Sequence, residues 1–177
     1  MRIVITGSPG TGKSLIAREL ADMLSLELVD LKKVVREKKL LGKGQAVDVK
    51  KLANALVFLR KKDDYVVEGH LACEMRLPAD FVFVLRTKPS ELRKRLAKRR
   101  YGKRKLEENL MAEMLDYCTQ RVRAEYGKEP LELETGGRMP ETCARTIARA
   151  IKQKKKKLDR VSYSKELMAY LKLRGSG

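Results

Sequence analysis

The sequence predicts an α/β domain in which a five-stranded parallel sheet carries helices on both faces. Three observations carry that prediction. Short, almost wholly apolar runs such as Ile3-Val4-Ile5 and Phe81-Val82-Phe83-Val84-Leu85 alternate with helical patterns, as strands buried on both faces do. The octapeptide Gly7-Ser8-Pro9-Gly10-Thr11-Gly12-Lys13-Ser14 follows the first run and matches G-x-x-x-x-G-K-[ST] at every fixed position. The chain has 177 residues, 43% of them hydrophobic, which suffices for one sizeable core.

Arg2 to Thr6 reads as the first strand. Glycines then let the backbone curl so that several N–H groups face one concavity, and a helix from Lys13 to Leu24 presents its positive end there. Leu15, Ile16, Leu20, Met23 and Leu24 give that helix its apolar residues. Leu26 to Val29 is the second strand, and Asp30 caps a helix through about Lys38. Leu40 to Val47, with two glycines, is a connection, after which Asp48 caps a helix to about Lys61. Tyr65 to Glu68 forms the third strand, Gly69 to Ala79 a loop with one helical turn, and Phe81 to Leu85 the fourth strand. Pro89-Ser90 opens a helix to about Lys98, Gly102 breaks it, and a long amphipathic helix is predicted from Leu106 to Glu125. Leu131 to Glu134 makes the fifth strand, Gly136-Gly137 a turn, and Pro140-Glu141 the start of a final core helix to about Lys152.

Beyond Lys154-Lys155-Lys156-Lys157, the apolar residues Leu158, Val161, Leu167, Met168, Leu171 and Leu173 have helix-like spacing, which predicts an appended helix pair or hook. The chain thus divides into one main domain, 1–152, and a basic C-terminal extension, 153–177, ending in the tail Gly175-Ser176-Gly177.

The net charge is +18, a potential that attracts polyanions. Arg86 to Arg104 holds ten Lys/Arg against one acid, and Arg145 to Arg174 eleven against two. Two readings of the second region stay open: a solvated helix face, or contact with RNA phosphates. With only Tyr163 and Tyr170 among its aromatics, it is poorly equipped to stack on bases. No apolar run approaches the ~20 residues needed to span a bilayer, and the opening residues do not resemble a signal peptide. A soluble cytoplasmic protein without membrane contact is expected, or a nuclear one if the source is eukaryotic. Cys73, Cys118 and Cys143 form no C-x-x-C pair, which argues against a disulfide framework or a zinc site.

The octapeptide predicts ATP or GTP with magnesium. Lys13 reaches the β and γ phosphates, and the Ser14 hydroxyl takes one place on Mg2+. A GTPase would add a guanine-reading element such as N-K-x-D, and a large ATPase a strand ending in Asp-Glu; neither is present. A compact body with an arginine-rich segment about ninety residues after the loop is the layout of a small phosphotransferase. Glu68, at a strand end of such a sheet, is placed to face the metal. Beside it stands His70, the single histidine of the chain.

These motifs occur together with Val35-Arg36-Glu37, Val66-Val67-Glu68-Gly69-His70, Phe83-Val84-Leu85-Arg86-Thr87, Leu96-x-x-Arg99-x-Tyr101 and Lys105-Leu106-x-Glu108-Asn109. In that order they resemble the atypical adenylate kinase family, adenylate kinase isoenzyme 6 or CINAP, over roughly residues 1–152. The resemblance implies a nucleoside-monophosphate-kinase-like P-loop fold acting, as a monomer, on ATP and on AMP or dAMP, with secondary ATPase activity. Archaeal and eukaryotic members assist small-ribosomal-subunit maturation, so it also implies ribosomal precursor RNA and a small-subunit ribosomal protein as partners. By resemblance Gly10, Thr11, Gly12, Lys13, Ser14 and Leu15 hold the ATP phosphates, with Ser14 and Glu68 on magnesium. Asp30 and Arg36 belong to a monophosphate-binding region at 30–50. Arg99 is the arginine of a lid at 98–108, where Arg100 and Arg104 cluster with it, and Arg138 lies near the adenine-side loop. Lys13, Arg99, Glu68 and His70 are the implied catalytic set, His70 orienting water or the γ-phosphate.

Two departures accompany the match. The family's Asp-x-His is Glu68-Gly69-His70 here, one methylene longer, and the monophosphate region is shorter and more basic. Two rival readings stay open: an ATP-dependent ribosome-assembly factor with incidental transfer activity, and a small P-loop kinase for another acceptor.

Overall fold

Alternation along each strand sorts the core into two layers. The computed structural model describes residues 1–42, 46–99 and 101–175. Positions 43–45 of the monophosphate region, Arg100 of the lid and the tail positions 176–177 lie outside the described residues. The strands are β1 (Arg2–Thr6), β2 (Glu27–Asp30), β3 (Tyr65–Glu68), β4 (Phe81–Arg86) and β5 (Leu131–Glu134). They form one parallel sheet in the order β2-β3-β1-β4-β5.

Ile3, Ile5, Val66, Phe83 and Leu85 face α1 (Lys13–Leu24) and α7 (Pro140–Lys152), whose Ile16, Leu20, Ala144 and Ile147 complete that layer. Val4, Val67, Val82 and Val84 point the other way, toward α2 (Leu31–Glu37), α3 (Val49–Ala55) and α6 (Tyr117–Tyr126). Full burial of one such side chain contributes about 1.5–3 kcal/mol. A third cluster joins α4 (Pro89–Lys98) to α5 (Lys103–Met114) through Leu92, Leu96, Leu106 and Leu110. No helix among the described residues is long and apolar enough to cross a membrane.

Most predicted boundaries match within a residue or two. Asp30 caps α2, accepting from the N–H groups of Lys32 at 2.7 Å and Lys33 at 3.3 Å, and Asp48 caps α3 through Lys51 N–H at 3.1 Å.

Two expectations change and a third is narrowed. The helix predicted from Leu106 to Glu125 is two helices, α5 and α6, parted at Asp116, whose φ is 53°. The cause lies in the neighbouring strand: Arg86 of β4 donates to the Glu113 carbonyl at 3.0 Å and to the Asp116 carboxylate, drawing away an acceptor that an unbroken helix would use. The helix predicted through Lys61 ends at Ala55 and continues as a 3-10 turn, Val57–Lys61. Leu56 N–H shares the carbonyls of Leu52 and Ala53, both at 3.2 Å, which tightens the winding. Of the two forms expected for the C-terminal extension, a helix pair or a hook, the described residues show the hook, with the helix α8 (Ser164–Gly175).

Candidate active site

The carboxyl ends of the strands gather the predicted residues, as parallel sheets do. The loop from Gly7 to Ser14 joins β1 to α1, with φ of 138° at Gly7 and 95° at Gly10. A Cβ on Gly7 would stand 2.4 Å from the Leu85 carbonyl oxygen, and one on Gly10 2.7 Å from Leu92 Cδ1. Those two positions therefore need glycine for both conformation and space.

Hydrogen bonds hold the curl from several sides. Thr11 Oγ1 donates to the Ser8 carbonyl at 2.9 Å, Thr135 Oγ1 to the Thr11 carbonyl at 3.0 Å, and Arg95 Nη1 to the Gly10 carbonyl at 3.2 Å. Ser8 Oγ donates to Glu113 Oε2 at 2.5 Å, a buried bond from α5 to the loop. Thr11, assigned to nucleotide binding, thus turns its side chain inward to brace the loop, with no solvent exposure.

Lys13 Nζ donates to the carbonyls of Gly7 and Ser8, each at 2.8 Å. Burial pulls its ammonium down to about 8, against the opposing pull of Cys118, Glu68 and Glu113. A polyanion is the partner such a buried cation lacks. Ser14 Oγ donates to Glu68 Oε1 at 2.9 Å, while Glu68 Oε2 is buried without a hydrogen-bond partner among the described residues. Burial raises the Glu68 carboxyl above its usual range, and Asp30, its neighbour across the β2–β3 pair, raises it further.

An orphaned carboxylate oxygen beside a serine hydroxyl fits a hard cation. Among the described residues no three His, Cys, Asp or Glu side chains form a complete cage. A single serine–carboxylate pair matches the chemistry of Mg2+, which takes one or two carboxylates and relies on phosphate oxygens and water for the rest. The added methylene of Glu68 does not prevent its reaching Ser14.

A cavity of about 540 Å³ opens over the loop, lined by Gly10, Gly12, Lys13, Ser14 and Leu15 on one side and by Arg99, Tyr101, Lys105 and Asn109 on the other. Lys32 and His70 stand in its wall. A second, more apolar cavity of about 350 Å³ is lined by Leu31, Val35, Arg36, Leu41 and Gly69, and shares Lys32, Val47, His70 and Leu71 with the first. His70 keeps part of its surface open to the cavity; partial desolvation there, then the charges of Lys13 and Lys32, pull its imidazole below the ordinary histidine value.

Lys13, Ser14, Glu68, His70 and Arg99 therefore come together, and Arg36 stands in the adjoining cavity. Asp30 caps α2 through one carboxylate oxygen, Oδ1. Arg138 lines neither cavity and pairs with Asp159 at 3.4 Å. Sequence reasoning missed Lys32, Glu113 and the inward role of Arg86. A charged residue closing the apolar run of β4 was the available signal for Arg86; Lys32 and Glu113 had none among so many charges.

A family profile described as "AAA domain" matches residues 3–116. Two archaeal proteins, each named "Putative adenylate kinase", align along nearly their whole length. The Pyrococcus furiosus protein is 35% identical over 99% of each chain, and the Methanocaldococcus jannaschii protein 32% identical over 98% of each. Among solved structures, shikimate kinase from Acinetobacter baumannii in complex with shikimate superposes with a TM-score of 0.65 at 18% identity, covering 87% of this chain and 94% of that one, which shows the shared fold. With full-length identity above 30% to these archaeal proteins and a P-loop profile over more than half its residues, the chain belongs to their adenylate kinase family.

Proposed function

We propose that this protein moves the γ-phosphoryl group of ATP to AMP or dAMP, yielding two nucleoside diphosphates, as the isoenzyme 6 type of adenylate kinase. The observation that carries the proposal is the pair of adjoining cavities. One presents a phosphate-binding loop, the other an apolar wall with Arg36, and they meet at Lys32 and His70. That arrangement supports reading the two cavities as a donor and an acceptor site placed end to end.

The acceptor's attacking oxygen is already anionic, so the site needs charge neutralisation and alignment more than a base. An oxygen of the AMP phosphate forms a bond to the γ-phosphorus while the bond to the ADP oxygen breaks. Lys13, at one end of the transferred group, and Arg99, across the cavity, neutralise its equatorial charge. Each such pre-aimed donor is worth about 2.7–4 kcal/mol where water is excluded. Mg2+, when bound at Ser14 and Glu68, supplies further charge neutralisation on the phosphates. Neutral His70 in the shared wall orients a water for a slower hydrolysis when the acceptor cavity is empty.

Product analysis with ATP and a panel of acceptors tests this reading. ADP formed in a two-to-one ratio to AMP consumed supports it; ATP turnover indifferent to AMP and dAMP overturns it.

A second reading rests on charge. The +18 balance and the exposed run Lys154–Lys157 suit contact with phosphates of ribosomal precursor RNA during small-subunit maturation. Retention on precursor particles that declines steeply with salt supports it, and no retention at low salt removes it.

A further inference from the structure

The C-terminal hook reaches the interior. Asp159 N–H donates to the Glu132 carbonyl at 3.0 Å and Asp159 Oδ2 accepts from Glu134 N–H at 2.9 Å, so the chain docks along the outer edge of β5. Four residues on, Tyr163 is 3% exposed, packed among Leu92, Leu96, Leu106, Leu110 and Met114. Its ring lies under the Arg86 guanidinium, 5.2 Å from ring centroid to Cζ. Its hydroxyl is buried without a hydrogen-bond partner among the described residues. A tyrosine whose oxygen is unsatisfied is held there by its ring.

Arg86 is 1% exposed and anchors three carboxylates, Glu113, Asp116 and Glu132. Glu113 divides its two oxygens. Oε1 accepts from Arg86 Nε at 2.9 Å and from Thr87 N–H at 3.0 Å, while Oε2 accepts from Ser8 at 2.5 Å. Ser8 belongs to the phosphate loop, and its carbonyl takes both Lys13 Nζ and Thr11 Oγ1. An unbroken series of contacts therefore runs from the hook to the loop.

We propose that the segment from Leu158 to Tyr163 is a positioning element of the phosphate loop: Tyr163 seats Arg86, Arg86 orients Glu113, and Glu113 holds Ser8. The proposal rests on the reading of that loop as a nucleotide site. None of the three touches nucleotide; they act through Ser8. The guanidinium is pinned between carboxylates on its edge and the negative face of a ring, and a desolvated contact of that kind holds its orientation. A ring without a quadrupole-bearing face would fill the space and leave Arg86 free to tilt.

The test is calorimetric titration of the full chain with Mg-ATP, with a melting curve recorded for each variant. Tyr163→Phe binds as the wild type does, because the hydroxyl contributes no bond. Tyr163→Leu binds on the order of tenfold more weakly, comparable to a desolvated cation–π contact. Ser8→Ala weakens binding too, and the double variant is no weaker than the weaker single, since both act on one series of contacts. A Tyr163→Leu protein that melts lower yet binds as the wild type, or effects that multiply in the double variant, overturns the proposal and leaves Tyr163 as core packing. If Tyr163→Leu does not fold, a ring-fluorinated phenylalanine at that position decides: it keeps the packing and weakens the ring face, so weaker binding than Tyr163→Phe supports the proposal and equal binding overturns it. Absence of Mg-ATP binding by the wild type is a different result, and it removes the nucleotide reading together with this one.

Discussion

Replacing Lys13 by methionine should abolish nucleotide binding and yet stabilise the ligand-free protein. The gap between the ordinary lysine value of 10.5 and about 8 corresponds to about 3 kcal/mol of unfavourable burial. Against it stand the two bonds from Nζ to the Gly7 and Ser8 carbonyls, worth about 1 kcal/mol each once exchange with water is counted. Methionine fills the same space without the charge, so the variant gains about 1 kcal/mol at pH 7, or about 3 °C in melting temperature for a chain of this size. The sign with pH follows from proton counting. Below pH 8 the lysine is charged in both states and the folded state bears the whole penalty. As pH rises from 8 toward 10.5, the folded protein sheds the proton while the unfolded chain keeps it, so wild-type stability rises. Urea unfolding in steps from pH 6 to 9.5 should show that rise in the wild type and not in Lys13→Met. A variant clearly less stable than the wild type at pH 7, with no difference in pH slope, would show that the buried Lys13 ammonium carries no net penalty.

Three further outcomes are expected. Gly7→Ala drives a Cβ against the Leu85 carbonyl at 2.4 Å in a backbone conformation unsuited to alanine; it should cost about 1–3 kcal/mol in urea unfolding and displace the loop enough to remove detectable Mg-ATP binding. Glu113→Ala strips the buried Arg86 of one carboxylate, both groups being at most 2% exposed, and should lower stability by about 3–5 kcal/mol, measured by chemical denaturation. His70, the sole histidine, gives one set of imidazole proton resonances, and their titration midpoint should fall below the ordinary 6.5 because Lys13 and Lys32 stand nearby; a midpoint at or above 6.5 would mean that those two charges do not act on the ring.

The sheet could be read from the chain because the central strands β1, β3 and β4 carry apolar runs between turn residues, and burial on both faces leaves few other places for such runs, whereas β2 and β5 at the edges are short and mix apolar with acidic residues. The helix starts at Asp30 and Asp48 were equally readable, since capping is a local matter of one carboxylate and two or three amides. The break at Asp116 was not. It depends on a guanidinium 30 residues earlier in the chain taking a helix carbonyl and a side chain, and no local propensity records that. The phosphate loop could be read for the same reason as the caps, because its chemistry lies within eight consecutive residues. Its anchoring to Glu113 and Thr135 joins positions more than 100 apart. The proposed acceptor cavity was legible only through motif position: Arg36 is one basic residue among many, and the cavity wall comes from α2, the Leu41–Val47 bridge and the residues after β3. The role expected of the C-terminal extension as a separate basic appendage was the least legible, because Tyr163 carries no sequence mark of burial beneath a β4 arginine.

Two cavities share the wall formed by Lys32 and His70, and the proposed function requires that two nucleotides meet there. Titrating the purified protein with diadenosine pentaphosphate, which joins both nucleotides in one molecule, tests it most directly. With magnesium present one molecule should bind per chain, more tightly than ATP and with Arg36→Ala removing the advantage; affinity no greater than that for ATP alone would rule out a shared two-nucleotide site.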